Sequence, residues 1–130
     1  MRWDNLRTDA GGPATLPGLD VEPVTRTFDA PEAVGIRFHE IAARSAINAV
    51  GAMSHVDFSH TINPYRGCAH ACSFCFARPT HKYLDLNARE DFEREIVVKV
   101  NLPEVLRAEL RRPSWKGELI ALGTNTDPYQ

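Results

Sequence analysis

Three cysteines fall within a single short stretch, Asn63-Pro64-Tyr65-Arg66-Gly67-Cys68-Ala69-His70-Ala71-Cys72-Ser73-Phe74-Cys75-Phe76-Ala77-Arg78, and the chain has no other. Their spacing is C-x3-C-x2-C. Three thiols cannot all pair into disulfides, and so dense a cluster is the signature of metal binding. Two metal centres suit it. A [4Fe–4S] cube normally takes four thiolates, so three cysteines leave one iron with an open coordination position for a small chelating ligand. A zinc site needs one more ligand, and His60, His70 and His81 are the candidates for a Cys3His set. Zinc signatures usually pair two separated knuckles, whereas this chain has one compact triplet. Gly67, before the first cysteine, allows a positive φ and a close approach of the backbone. His70, between two cysteines, is read as a hydrogen-bond donor near a cluster sulfur. Arg78 is read as meeting a carboxylate or holding the loop through backbone contacts.

The 130 residues suit one domain, and a hydrophobic content of 43% is enough for a core. A net charge of −2 gives no global attraction for nucleic acid or membranes. No apolar run reaches the ~18 residues of a membrane span. Clustered thiols fit a reducing, cytoplasmic setting.

Residues 1–35 are punctuated by Gly11-Gly12-Pro13, Pro17-Gly18, Pro23 and Pro31. They read as an irregular arm, anchored by Trp3, Leu6 and Phe28. Residues 36–50 read as a short strand followed by a short helix. An extended run over 56–63 leads into the cysteine loop, and residues 79–94 are partly helical. Glu95–Val100 is a β-branched strand. Asn101 is expected to cap a helix over about 102–112, with Glu104 completing a capping box. Its apolar stripe is Leu102, Val105, Leu106 and Leu110, with Glu109 beside it. A last strand covers 118–122. The order predicts an α/β fold with both the cysteines and Gly123-Thr124-Asn125-Thr126-Asp127-Pro128-Tyr129-Gln130 at strand C-termini, where ligands bind in such sheets.

The string NPYRGCAHACSFCFARPTH, with Phe74 just before the last cysteine, resembles the radical S-adenosylmethionine enzymes, and within them the branch related to spore photoproduct lyase and labelled DNA-repair-photolyase-like. GTNTDPYQ resembles the same branch downstream, and WDNLR and RTFD carry a weaker likeness. The resemblance implies the N-terminal portion of a partial (β/α)6 barrel: an arm over 1–35, then the start of the radical S-adenosylmethionine domain over 36–130, truncated. It implies a lyase-like enzyme that this chain alone does not complete, poorly soluble and without turnover as it stands. Cys68, Cys72 and Cys75 would hold a [4Fe–4S] cluster. S-adenosylmethionine would chelate the fourth iron and be reductively cleaved to a 5′-deoxyadenosyl radical. Phe74 would lie against the adenine, or pack over the cluster. Thr126 would contact S-adenosylmethionine, and Asp127 would do so or cap a turn with Pro128. The implied partners are a one-electron reductant such as flavodoxin or ferredoxin and a substrate related to nucleic-acid repair. The lyases carry a hydrogen-donating cysteine where this chain has Thr124, a departure that argues against photoproduct repair.

Overall fold

The β-branched run Glu95-Ile96-Val97-Val98-Lys99 builds the strand around which the first sheet forms. A computed structural model describes residues 24–52 and 54–130 of the chain. In it, strands β1 (Val24–Arg26), β2 (Arg37–Ile41), β5 (Tyr65–Arg66) and β6 (Glu95–Lys99) make one sheet in the order β1-β2-β6-β5. Strands β3 (Ile47–Ala49), β4 (His60–Ile62) and β7 (Ile120–Leu122) make a second, in the order β3-β4-β7. Helices α1 (Glu90–Arg94) and α2 (Leu102–Leu110) and a 3-10 helix over Arg78–Leu84 complete the described elements.

This corrects the expected barrel. Both sheets are mixed: β2–β6 and β4–β7 are parallel, while β1–β2, β5–β6 and β3–β4 are antiparallel. A (β/α)6 barrel needs successive parallel strands in one continuous array, each followed by a crossover helix. Here β4 and β6 lie in different sheets, and the chain between them is occupied by the cysteine loop, the 3-10 helix and five-residue α1.

Sheet one is centred on β6, whose Glu95, Ile96 and Val97 are all buried. Arg37 pairs with Glu95 and Ile41 with Lys99 along the β2–β6 ladder. The ladder buries a polar relay. Thr25 Oγ1 lies 3.0 Å from His39 Nδ1, and His39 Nε2 lies 2.7 Å from Glu95 Oε2. Arg37 binds the other Glu95 oxygen through Nε and Nη2 at 2.9 and 2.5 Å. A neutral His39 with its proton on Nε2 satisfies both neighbours, donating to the carboxylate and accepting from the hydroxyl. Below the relay, Leu84 and Val97 form a buried cluster with Ile41 and Leu86 against it.

Sheet two packs on α2 through Ala46, Ile62 and Leu102, with Ile47, Val105, Leu106 and Ile120 around them. The i, i+3, i+4, i+7 face of α2 is therefore Leu102, Val105, Leu106 and Glu109, and Leu110 stands exposed. Glu109 takes a core position because its Oε2 accepts the N–H groups of Ala46 and Ile47 at 3.1 and 2.9 Å. Those bonds start β3 where a helix was expected. Asn101 stands at the N-cap position of α2 but makes no side-chain capping bond: its side chain accepts from the Ala43 N–H at 2.6 Å and donates to the Ala43 carbonyl at 2.9 Å. The end of the expected arm also changes character. Val24–Arg26 is an edge strand, and the Phe28 ring tilts on Phe38 with centroids 4.9 Å apart. Trp3 and Leu6 lie outside the described residues. Among the described residues no helix is long and apolar enough to cross a membrane.

Burial pushes the Glu109 carboxyl up, but the Ile47 and Ala46 N–H donors and the charge of Arg112 outweigh it, so its pKa lies below the usual glutamate range. A group depressed in this way stabilises the fold above its unfolded pKa and loses that contribution as pH falls through its folded value. Glu109→Ala is expected to destabilise the chain by about 1–3 kcal/mol at neutral pH, because two backbone donors lose their acceptor. Glu109→Gln, which keeps an acceptor oxygen, should cost less. Denaturant titrations at pH 7 and in the acid range check both points: the gap between wild type and Glu109→Ala narrows in acid.

Candidate functional site

The chain leaves sheet two at Ile62 and enters sheet one at Tyr65, so Asn63-Pro64 carries it between the sheets immediately before the cysteines. Strand β5 then pairs Tyr65 with Val98 and Arg66 with Val97. Gly67 follows with φ +91°. A Cβ there would lie 2.9 Å from His81 Cε1, from Ile96 Cδ1 and from the Phe92 carbonyl oxygen. Only glycine fits both the conformation and the space. The Cys68 N–H donates to that same Phe92 carbonyl at 3.0 Å.

Beyond Gly67 the loop is a train of turns, each opening on a cysteine. The carbonyls of Cys68, Cys72 and Cys75 accept from the N–H groups of Ala71, Cys75 and Arg78 at 3.3, 3.2 and 3.4 Å. Ala71 adopts φ 55°, a left-handed conformation costing an alanine about 1–2 kcal/mol. Arg78 clamps this backbone. Its Nε donates to Cys72 O at 2.9 Å and Nη2 to Ala71 O at 2.8 Å. Nη1 reaches Ala88 O and Arg89 O at 3.3 and 3.2 Å, and Nη2 pairs with Glu93 Oε1 at 2.5 Å. The guanidinium also lies over the Phe92 ring, 5.3 Å from its centroid. The two roles read for Arg78, carboxylate partner and loop holder, are both filled.

The GTNTDPYQ segment docks on this loop from the end of β7. The Thr126 hydroxyl donates to Gly67 O at 2.7 Å and accepts from Gln130 Nε2 at 2.8 Å. Gln130 Nε2 also donates to Gly67 O at 3.1 Å, and its Oε1 accepts from the Ala69 N–H at 2.7 Å. Asn63 Oδ1 accepts from the Asn125 N–H at 2.9 Å, and Asn63 Nδ2 donates to Thr124 Oγ1 at 3.4 Å. Lys99 Nζ donates to Asn63 O at 2.8 Å; burial, with Arg66 nearby, holds its pKa below the usual lysine value. Asp127 Oδ1 accepts from the Tyr129 N–H at 3.0 Å, which is the turn cap, and Oδ2 pairs with His70 Nε2 at 2.5 Å. The Tyr129 N–H first, and His70 second, lower the Asp127 pKa. Burial and the Asp127 charge raise that of Tyr65.

The structure thus brings the cysteine loop, Thr126 and Asp127 together. His70 is partnered by Asp127. Phe74 is 89% exposed and packs over nothing on the loop. The cysteines are free thiols, Cys72 exposed and the other two half-buried. Among the described residues no three His, Cys, Asp or Glu side chains converge closely enough to hold a metal ion. What fits a metal is the donor chemistry: three unbridged thiols carried on one fixed backbone. Each candidate zinc histidine holds a hydrogen bond through one ring nitrogen, His70 that to Asp127. His60 Nδ1 lies 2.9 Å from Ser59 Oγ and its ring meets Trp115 edge-on. His81 is wholly buried behind Gly67, with Nε2 2.8 Å from Glu95 O, and burial lowers its pKa. Sequence reading missed Asn63, Lys99 and Gln130. A polar residue at the exit of β4 was the one signal available for Asn63; Lys99 and Gln130 gave none.

The chain is 51% identical over 134 aligned positions to an uncharacterized protein of Mycobacterium bovis and to uncharacterized proteins of two Mycobacterium tuberculosis strains. The alignments take in 100% of this chain and 39% of each relative, so the chain spans about two fifths of the length of the curated relatives it matches. No protein-family model and no solved structure matches it.

Arg78→Lys should loosen the cysteine loop without unfolding the sheets, because an ammonium cannot reproduce the guanidinium fork. Hydrogen exchange is the measurement: protection at Ala71, Cys75 and Arg78 is expected to fall at least tenfold, a loss of about 1.4 kcal/mol, while Val97 and Val98 keep theirs.

Proposed function

We propose that this chain is part of a radical S-adenosylmethionine protein, in which Cys68, Cys72 and Cys75 hold a [4Fe–4S] cluster and S-adenosylmethionine takes the remaining iron. The observation that supports the reading most directly is the docking of the GTNTDPYQ segment onto the cysteine loop through the Gly67 carbonyl. Two segments that resemble the same enzymes, far apart in sequence, are neighbours in the fold. When bound, the reduced cluster would supply the electron that cleaves S-adenosylmethionine to methionine and a 5′-deoxyadenosyl radical. The chain's own residues have narrower tasks. Arg78 and Gly67 fix the backbone that carries the thiols that would hold the iron. Phe74 offers an uncovered ring face to the adenine. Thr126 and Asp127 are committed to protein partners, so they set the position of the loop that borders the cofactor. The electron would come from a flavodoxin- or ferredoxin-like donor, and the likeness to DNA-repair enzymes makes nucleic acid the substrate class to test first. A Cys3His zinc module is the competing reading, with His60, His70 or His81 as the fourth ligand, since each keeps one ring nitrogen outside the hydrogen bonds described above.

Anaerobic reconstitution with iron and sulfide should yield about four irons per chain and a brown protein absorbing broadly at about 400 nm. Cys68→Ala, Cys72→Ala and Cys75→Ala should each largely abolish incorporation, and His70→Ala should not. Stoichiometric zinc with no iron uptake would overturn the assignment.

Thr124 limits the reaction that follows. Its hydroxyl accepts from Asn63, and an O–H bond is too strong to return a hydrogen atom to a carbon radical as a thiol does. A full-length protein carrying this segment is expected to release 5′-deoxyadenosine from S-adenosylmethionine under reducing conditions without efficiently repairing a thymine photoproduct dinucleotide. Running both assays side by side checks this, and repair as fast as 5′-deoxyadenosine release would refute it.

A further inference from the structure

Cys72 and Cys75 occupy the two corners of one turn. The Cys75 N–H donates to the Cys72 carbonyl at 3.2 Å, and Ser73 and Phe74 lie between them. A turn of this kind keeps its corner Cα atoms within about 7 Å, and a disulfide spans Cα atoms about 4.4–6.8 Å apart. The two ranges overlap, so a bridge between the corners of this turn asks for little movement of the backbone. Cys68 stands outside this geometry. It opens a different turn, its N–H is tied to Phe92 O, and left-handed Ala71 separates it from Cys72. Cys72 is exposed, and Cys68 and Cys75 are both half-buried.

We infer that Cys72 and Cys75 form a reversible disulfide that serves as a thiol-oxidation switch, closing the loop to metal while leaving Cys68 free. The reaction is exchange with a small-molecule disulfide of the glutathione class. The Cys72 thiolate attacks one sulfur of the oxidant, forming a mixed disulfide and releasing one thiolate. The Cys75 thiolate then attacks Cys72 Sγ, closing the internal bridge and releasing the second. Two protein S–H bonds are lost and one S–S bond is gained. The two electrons and two protons end on the two released thiols. Exposed Cys72 is the entry point, and half-buried Cys75 resolves the intermediate. The bridge stays within one turn, so the contacts of Arg78 with Cys72 O and Ala71 O need not break. The consequence for metal is direct, because one remaining thiol cannot hold a centre that needs three. The disulfide itself rests only on the turn; its role in closing the loop to a cluster rests on the function proposed above.

The test treats the reduced, metal-free chain with oxidised glutathione, alkylates the remaining thiols and maps them by peptide mass spectrometry. The expected result is one alkylated cysteine, Cys68, and an internal link between Cys72 and Cys75 that dithiothreitol reverses. Cys68→Ala should form the same link. Cys75→Ala should instead retain glutathione on Cys72. Three free thiols, stable glutathione adducts on the wild-type chain, or a link using Cys68 would each overturn the inference. Iron reconstitution of the reduced chain separates the two readings. If the bridge forms and the reduced chain takes no iron, the cluster assignment falls and the thiol chemistry stands. If iron loads and no bridge forms, the switch alone falls.

Discussion

Gly67 is the point where the core and the site share one residue. Its missing side chain lets His81, Ile96 and the Phe92 carbonyl close on the backbone at distances no Cβ would tolerate. Its carbonyl receives Thr126 and Gln130. The amide of the next residue, Cys68, binds the Phe92 carbonyl. A side chain at this position would push the cysteine loop off β6 and remove the acceptor on which the second loop rests. The position of every thiol relative to GTNTDPYQ depends on that fit.

The site also lies at a topological boundary. Strand β4 belongs to one sheet and β5 to the other, with only Asn63 and Pro64 between them. Asn63 is buried and bonded on three sides: its carbonyl by Lys99 from β6, its side chain by Asn125 and Thr124 from the segment after β7. The crossover is held by hydrogen bonds and not by apolar packing, which suits a place where backbone groups turn away from both sheets and need partners. Lys99 retains a useful bond here despite the burial and the Arg66 charge that lower its pKa.

The resulting division of labour runs through the whole site. Backbone is fixed by Arg78, Gly67, Thr126 and Gln130, while the groups suited to chemistry stay uncommitted. Cys72, Phe74, Phe76 and Tyr129 all stand exposed around the fixed loop. A ligand can recruit these side chains without a main-chain rearrangement, and that keeps the ordering cost of binding small. The same fixed backbone that would present three thiols to a metal also places two of them at the corners of one hydrogen-bonded turn, so metal loading and thiol oxidation draw on one geometry.

How much of this was legible depends on the range of the interaction involved. The cysteine triplet and the β-branched strand at Glu95–Lys99 are local, and the sequence alone determined them: spacing sets which thiols share a loop, and side-chain shape sets the strand. Gly67 was legible as a residue free to take a positive φ, but the His81, Ile96 and Phe92 atoms that leave no room for a Cβ come from distant positions. Helix α2 was legible in its placement but not in its face, because Glu109 reads as a surface residue until Ala46 and Ile47 supply two N–H groups from more than sixty positions away. The same bonds turned an expected helix into β3. Asn101 takes the N-cap position it was read for, but its side chain is drawn to Ala43. The division into two mixed sheets was decided by tertiary structure alone, since periodicity identifies a strand but carries no information about which neighbour it pairs with. The tie of Gln130 to the cysteine loop, and that of Asn63 to the segment after β7, were decided in the same way. Those bonds join residues up to 63 positions apart, and polar side chains of that kind find their partners only when the packed backbone has brought the unpaired groups to them.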